Sequence, residues 1–238
     1  MLPAIVLAFA GLAAAAPATI SQFKPSFPPK NTAKGFQLLI NVTDISRDFA
    51  DNRVHGQFVT GFQASGVRRY MVPGPAASAN VFFVNGSAEG LPYGWANTLL
   101  DIGGPAPYGV QMDATPTDNA YGIVVGIGPG TLNVGPASEL NPLPCDIFYG
   151  AQPGSFAVCD TGFVATYHPK YLIQYFAGRG SFYNPENIPD NCVPVQLLPG
   201  CHSLENAQTA TYEIERIWDS VCYDDVASIV WPQYAKCY

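Results

Sequence analysis

Basic side chains are scarce in this chain. It has 11 Lys and Arg against 18 Asp and Glu, a formal net charge of −7, and charged residues of all kinds make up only 12%. A negative chain without a basic stripe repels phosphodiester backbones, so the sequence predicts no nucleic-acid binding. Histidine is rarer still, with His55, His168 and His202 alone. No H-E-x-x-H, paired-His or C-x-x-C spacing occurs, so neither zinc nor any other metal or cofactor is expected. No G-x-S-x-G elbow marks a nucleophilic serine. Gly126-Ile127-Gly128-Pro129-Gly130 lacks the spacing and the Lys-Ser/Thr of a phosphate loop and reads as a turn. Acidic residues such as Asp44, Asp48, Asp51, Asp101 and Asp113 are spread in a way any β protein offers, which assigns no carboxylate pair to glycoside hydrolysis.

Long apolar runs are also lacking. Ile5 to Leu12 is well short of the ~20 residues a bilayer demands. It is followed by Ala13, Ala14, Ala15 and Ala16, small residues suited to signal peptidase, so residues 1–15 read as a secretory signal despite an n-region without Lys or Arg. No later segment is apolar enough to span a membrane, and the expected product is soluble, secreted and extracellular.

What is present points to β structure. Gly (23) and Pro (22) together approach a fifth of the chain without a strict period, and they separate dense apolar runs. Residues 16–34 carry Pro17, Pro25, Pro28 and Pro29 and read as an extended arm. In the next segment Phe36, Leu38, Ile40 and Val42 alternate with Gln37, Leu39, Asn41 and Thr43, the two-residue period of a strand. Further strands are predicted at Gln57–Gln63, Val81–Val84, Tyr108–Ala114, Gly122–Ile127, Ser155–Cys159, Tyr171–Phe176 and Val193–Leu198. Short strands between Gly/Pro turns predict a mainly β fold, an antiparallel β-sandwich or barrel, over residues 35–203.

Two N-glycosylation sequons sit on this pattern. Asn41-Val42-Thr43 places Asn41 on the face away from Phe36, which the alternation predicts to be solvent-facing. Asn85-Gly86-Ser87 ends an apolar strand with a dipeptide suited to a tight hairpin.

Beyond Cys201 the period changes. Ile214, Ile217, Trp218, Val221 and Cys222 fall on one stripe of an α-helix. Residues 204–238 therefore read as a short C-terminal helical extension, with a local excess of acidic side chains expected to form a solvated face.

Cys145, Cys159, Cys192, Cys201, Cys222 and Cys237 admit 15 pairings. In an exported chain they are expected to be structural. Sequential pairing (145–159, 192–201, 222–237) closes the shortest loops. The one hint of a binding surface is Tyr93, Trp95 and Tyr108 in the Gly/Pro-rich stretch 91–110, which reads as a long loop. Exposed aromatic rings stack on sugar faces or anchor partners.

The stretches Gly35 to Asp44, Val81 to Glu89 and Ile188 to Cys201 resemble a family of uncharacterised secreted proteins from filamentous ascomycete fungi. They are strand, sequon and cysteine signatures spread over the β body. The resemblance implies secretion, a β fold and a fungal source, and brings no activity with it. The expectation is a secreted, non-catalytic glycoprotein that binds a glycan or protein at the cell wall or a host or substrate surface. A hydrolase of glycans or esters and a carrier of a small apolar ligand are the alternatives.

Overall fold

The computed structural model describes residues 28–93, 95–114, 120–136, 148–151, 153–162, 168–178, 188–207 and 214–231. The signal at 1–15, most of the arm, Cys145 and Cys237 lie outside them.

Among the described residues fifteen strands are present: β1 (Asn31–Ala33), β2 (Gly35–Val42), β3 (Phe58–Ser65), β4 (Arg68–Gly74), β5 (Phe82–Asn85), β6 (Asn97–Leu100), β7 (Tyr108–Ala114), β8 (Ala120–Ile127), β9 (Gly135–Pro136), β10 (Phe148–Tyr149), β11 (Gly154–Asp160), β12 (Tyr171–Ala177), β13 (Cys192–His202), β14 (Ile217–Trp218) and β15 (Ser220–Cys222). Eight of them close into an antiparallel barrel in the order β2-β13-β11-β12-β8-β7-β6-β5 and back to β2. The β3–β4 hairpin bridges β2 to β8. Closure removes the open edges that a flat sheet would expose.

The two-residue period of β2 does what it predicts on one face: Phe36, Leu38, Ile40 and Val42 all point into the barrel core. A run of rings fills that interior. Phe82 lies 6.0 Å from Phe36, Phe36 6.2 Å from Phe148, Phe148 5.9 Å from Phe156, and Phe156 4.8 Å from Tyr175. Gly150 and Gly154 make room for Tyr175, since a Cβ on either would lie within 3 Å of its ring. Each ring removed from water contributes about 1.5–3 kcal/mol. Burial also raises the Tyr175 hydroxyl pKa.

The other face of β2 departs from the alternation. Leu39 and Leu198 face outward yet are buried, because Tyr223 and Val226 of the tail cover them. Phe83 and Leu99 on β5 and β6 are covered in the same way by Leu204, Ala207, Ile214 and Ile217.

That cover is not helical. Ile217–Trp218 and Ser220–Cys222 are strands, and no α-helix occurs among the described residues. β14 pairs with β5, and β15 pairs with β1 at the end of the arm. The outer edge of β5 offers ladder partners that a free helix would not use, and tertiary pairing overrides a coincidental helical spacing.

The cysteine pairing also differs from the sequential expectation. Cys159 bonds Cys192, and Cys201 bonds Cys222. Strand register decides this. Cys159 and Cys192 stand directly opposite on β11 and β13, and Cys201 receives β15 through the bond from its N–H to Tyr223 O, 2.9 Å. Closing loops of 33 and 21 residues stabilises by roughly 2–4 kcal/mol each, largely through the unfolded state.

Candidate functional site

The stretch 91–110 is interrupted by β6, which splits it into two shorter loops. The Asn85-Gly86 dipeptide accordingly makes no tight hairpin; β5 and β6 are joined by residues 86–96. The described residues of this connection, 86–93, 95 and 96, are tightly organised. Gly90 N–H donates to Ser87 Oγ at 3.0 Å, and Leu91 N–H donates to Ser87 O at 3.1 Å. Leu91 drops its side chain into the core. The Gly90 carbonyl then accepts both the Tyr93 and the Trp95 N–H, each at 3.0 Å. One oxygen thus fixes where both rings leave the backbone.

The rings themselves are turned outward. Tyr93 is 73% and Trp95 65% exposed, with centroids 5.5 Å apart and planes tilted by 39°. Two large rings in contact with each other and with little else form an amphipathic surface suited to a planar or ring-shaped partner. Tyr108 does not join them; it starts β7 half-buried and packs against the core. Leu132, also exposed, lies on the neighbouring turn, which is tied to this loop by Asn133 N–H to Ala96 O, 2.9 Å.

The sequon residues occupy different surroundings. Asn41 is only 7% exposed, and its Nδ2 donates to Gln196 Oε1 on β13 at 3.2 Å. The solvent-facing position predicted for it is therefore corrected: the tail and β13 make the outer face of β2 a second interior. Asn85 is half-buried at the foot of the aromatic loop, with Nδ2 3.5 Å from Asn97 Oδ1.

Among the described residues, His55 and His202 stand at opposite ends of β2. Val42 N–H donates to His55 Nδ1 at 3.2 Å, while His202 pairs with Gly35 at the other end of β2. Seven strand steps, about 23 Å, separate those ends. Asp113 is engaged in an ion pair with Arg68. Among the described residues no group of three His, Cys, Asp or Glu is placed to hold a metal ion.

A polar cluster on the opposing surface loop was not foreseen from the sequence. Asp48 accepts the N–H groups of Phe49, Val54 and His55 and shapes the β2–β3 connection. Asp51 then ion-pairs Lys170 and accepts the Tyr171 hydroxyl at 2.9 Å. The Lys170 hydrogen bond, followed by that of Tyr171, holds the Asp51 carboxyl below its usual range. The same bond to Asp51 raises Lys170, and burial raises Tyr171. Beside this cluster, a groove of about 630 Å³ runs between Arg47–Ala50 and Ile188–Val193. Arg47 closes part of it by donating to Cys192 O at 3.2 Å.

Comparison with known proteins places the chain in a family without an assigned activity. The chain is 29% identical over 229 residues to a protein described as "Antigenic protein SchS34" from Stachybotrys chartarum, a match covering 92% of this chain and 99% of that relative. No solved structure matches it. Residues 33–201, from the last residue of β1 to near the end of β13, match the family described as Domain of unknown function (DUF7907), and the chain belongs to that family.

Proposed function

We propose that this protein is exported, glycosylated and non-catalytic, and that it acts by binding carbohydrate at a cell wall or at a host or substrate surface through Tyr93 and Trp95. The observation that carries this reading is the pair of touching, outward rings held by one carbonyl oxygen. A stable barrel has no folding reason to leave two such rings in water, and aromatic faces match the C–H faces of sugars. The signal-like residues 1–15, the sequons at Asn41 and Asn85, and two disulfides fit export through an oxidising compartment. A relative described as antigenic is compatible with a protein that leaves the cell. Asn41 Nδ2, the atom a glycan would be bonded to, is buried and donates to Gln196, so a glycan there is incompatible with this packing, whereas Asn85 sits nearer the surface.

The alternatives draw less support. A carrier needs interior space, and the ring column from Phe82 to Tyr175 occupies the barrel centre. A hydrolase needs converging acid, base or nucleophile groups, and His55, His202 and Asp113 are each engaged elsewhere.

The test is binding of the purified protein to a panel of polysaccharides, with hydrolysis products assayed in the same wells. Saturable binding without turnover is expected, and Tyr93→Ala or Trp95→Ala weakens it about tenfold or more. Turnover that disappears on replacing a histidine or a carboxylate, with folding intact, would overturn the reading.

A further inference from the structure

The foot of the aromatic loop is gripped by the tail. Gly86 is bonded on both sides of its residue: its N–H donates to Arg216 O at 3.3 Å, and its carbonyl accepts from Trp218 Nε1 at 2.9 Å. The first of these bonds extends the β14–β5 ladder, in which Ile217 faces Asn85 and Trp218 faces Val84; the second comes from a side chain. The Arg216 guanidinium lies 4.1 Å from the centroid of the Trp218 ring and covers its outer face. Across the loop the two stems almost touch, since a Cβ on Gly86 would lie 3.1 Å from Ala96 Cβ. The stem is therefore compressed between Ala96 on one side and the tail on the other.

The tail in turn is fastened to the barrel away from this loop. The buried carboxylate of Asp101 accepts the N–H groups of Glu205 at 2.8 Å and Asn206 at 3.1 Å. Cys201–Cys222 and the β1–β15 pair secure the next segment.

Resting on the reading of Tyr93 and Trp95 as binding rings, we infer that Arg216 and Trp218 are positioning residues for carbohydrate binding. They touch no ligand. By holding Gly86 they set the direction in which the loop leaves β5, and with it the angle at which the two rings meet a sugar. The tail, which lies outside the matched family region, thereby controls the presentation of a surface on the barrel.

Trp218→Phe tests this, because it keeps the ring under Arg216 and removes the Nε1–H donor. Hydrogen exchange at the amides of residues 86–93 is expected to rise about three- to tenfold, the value of one net hydrogen bond. Affinity for soluble hexasaccharides of β-linked glucose or N-acetylglucosamine falls in the same range. Arg216→Ala, on the exposed side of the ring, is expected to raise exchange about two- to fivefold, and it decides the matter if Trp218→Phe does not fold. Wild-type exchange in both variants overturns the inference, as does raised exchange with unchanged affinity. If Tyr93→Ala and Trp95→Ala bind as wild type does, the ring reading fails instead, and the exchange data still judge the grip on Gly86.

Discussion

The five rings inside the barrel and the two on the 86–96 loop are the same chemistry under opposite geometry. Phe36, Phe82, Phe148, Phe156 and Tyr175 come from five different strands, four of them in the closed sheet and the fifth β10, and meet in the interior that closure creates. Tyr93 and Trp95 come from one short loop, and a single carbonyl oxygen brings them together at the surface. Interior rings stabilise the fold by leaving water. The exterior rings gain little from folding, and their burial is left for a partner. The comparison separates residues that hold the protein together from residues that it displays, and Leu91 links the two groups by anchoring the displaying loop in the core.

Truncating the first group should produce the largest loss. Phe36→Ala is expected to cost about 3–5 kcal/mol, read as a lowered midpoint in urea at unchanged slope. Leu91→Ala touches both groups. It should cost about 2–4 kcal/mol and also weaken polysaccharide binding, whereas a stability loss with full binding would uncouple the rings from the core. Asp101→Ala removes the acceptor of the tail's first turn at a buried site and should cost about 1.5–3 kcal/mol, visible as faster proteolysis beyond residue 203; unchanged resistance would mean that the disulfide alone secures the tail. For Tyr93→Ala and Trp95→Ala the unfolding free energy should stay within ~0.5 kcal/mol of wild type while binding is lost. A larger destabilisation would place these rings among the structural ones.

The smallest effect belongs to the surface pair of Asp51 and Lys170, which meets the hydroxyl of the buried Tyr171. Its sign follows from the two shifts. Asp51 is lowered in the folded state, so its contribution is present above the unfolded carboxyl pKa near ~4 and fades as pH falls through the lower, folded value. Lys170 is raised, so its contribution is complete below the unfolded value near ~10.4 and fades only as pH rises toward the higher, folded one. The difference in melting temperature between wild type and Asp51→Asn should therefore be flat from about pH 5 to 9 and close on acidification. A difference that persists in strong acid would assign the effect to packing.

Much of the barrel was legible in the sequence because period-two alternation reports which side of a strand is buried. Phe36, Leu38, Ile40 and Val42 fall in the core as their spacing predicts. Ile123, Val124 and Val125 are a continuous apolar run and are all buried. The same rule failed for Leu39 and Asn41, since alternation carries no information about what another segment lays over the outer face. The spacing of Ile217, Trp218, Val221 and Cys222 fits one helical stripe as well as two short strands, and only the neighbouring edge of β5 decides between them. Of the three aromatic residues singled out for a site, Tyr93 and Trp95 come together and Tyr108 is drawn to the core. Arg216 and Trp218 carried no signal, being more than a hundred residues from the loop they hold.

Composition, alternation and turn residues by themselves determined a β-rich chain with a defined interior face and a loop bearing aromatic rings. These are local properties, set by backbone geometry and the hydrophobic effect within a few residues. Only the tertiary structure decided the closure of eight strands, the partners of Cys159 and Cys201, the strand form of the tail and the burial of Asn41. Each of those depends on register between segments far apart in the chain. Register is a property of the assembled sheet, because a shift of one residue reverses every side chain on a strand.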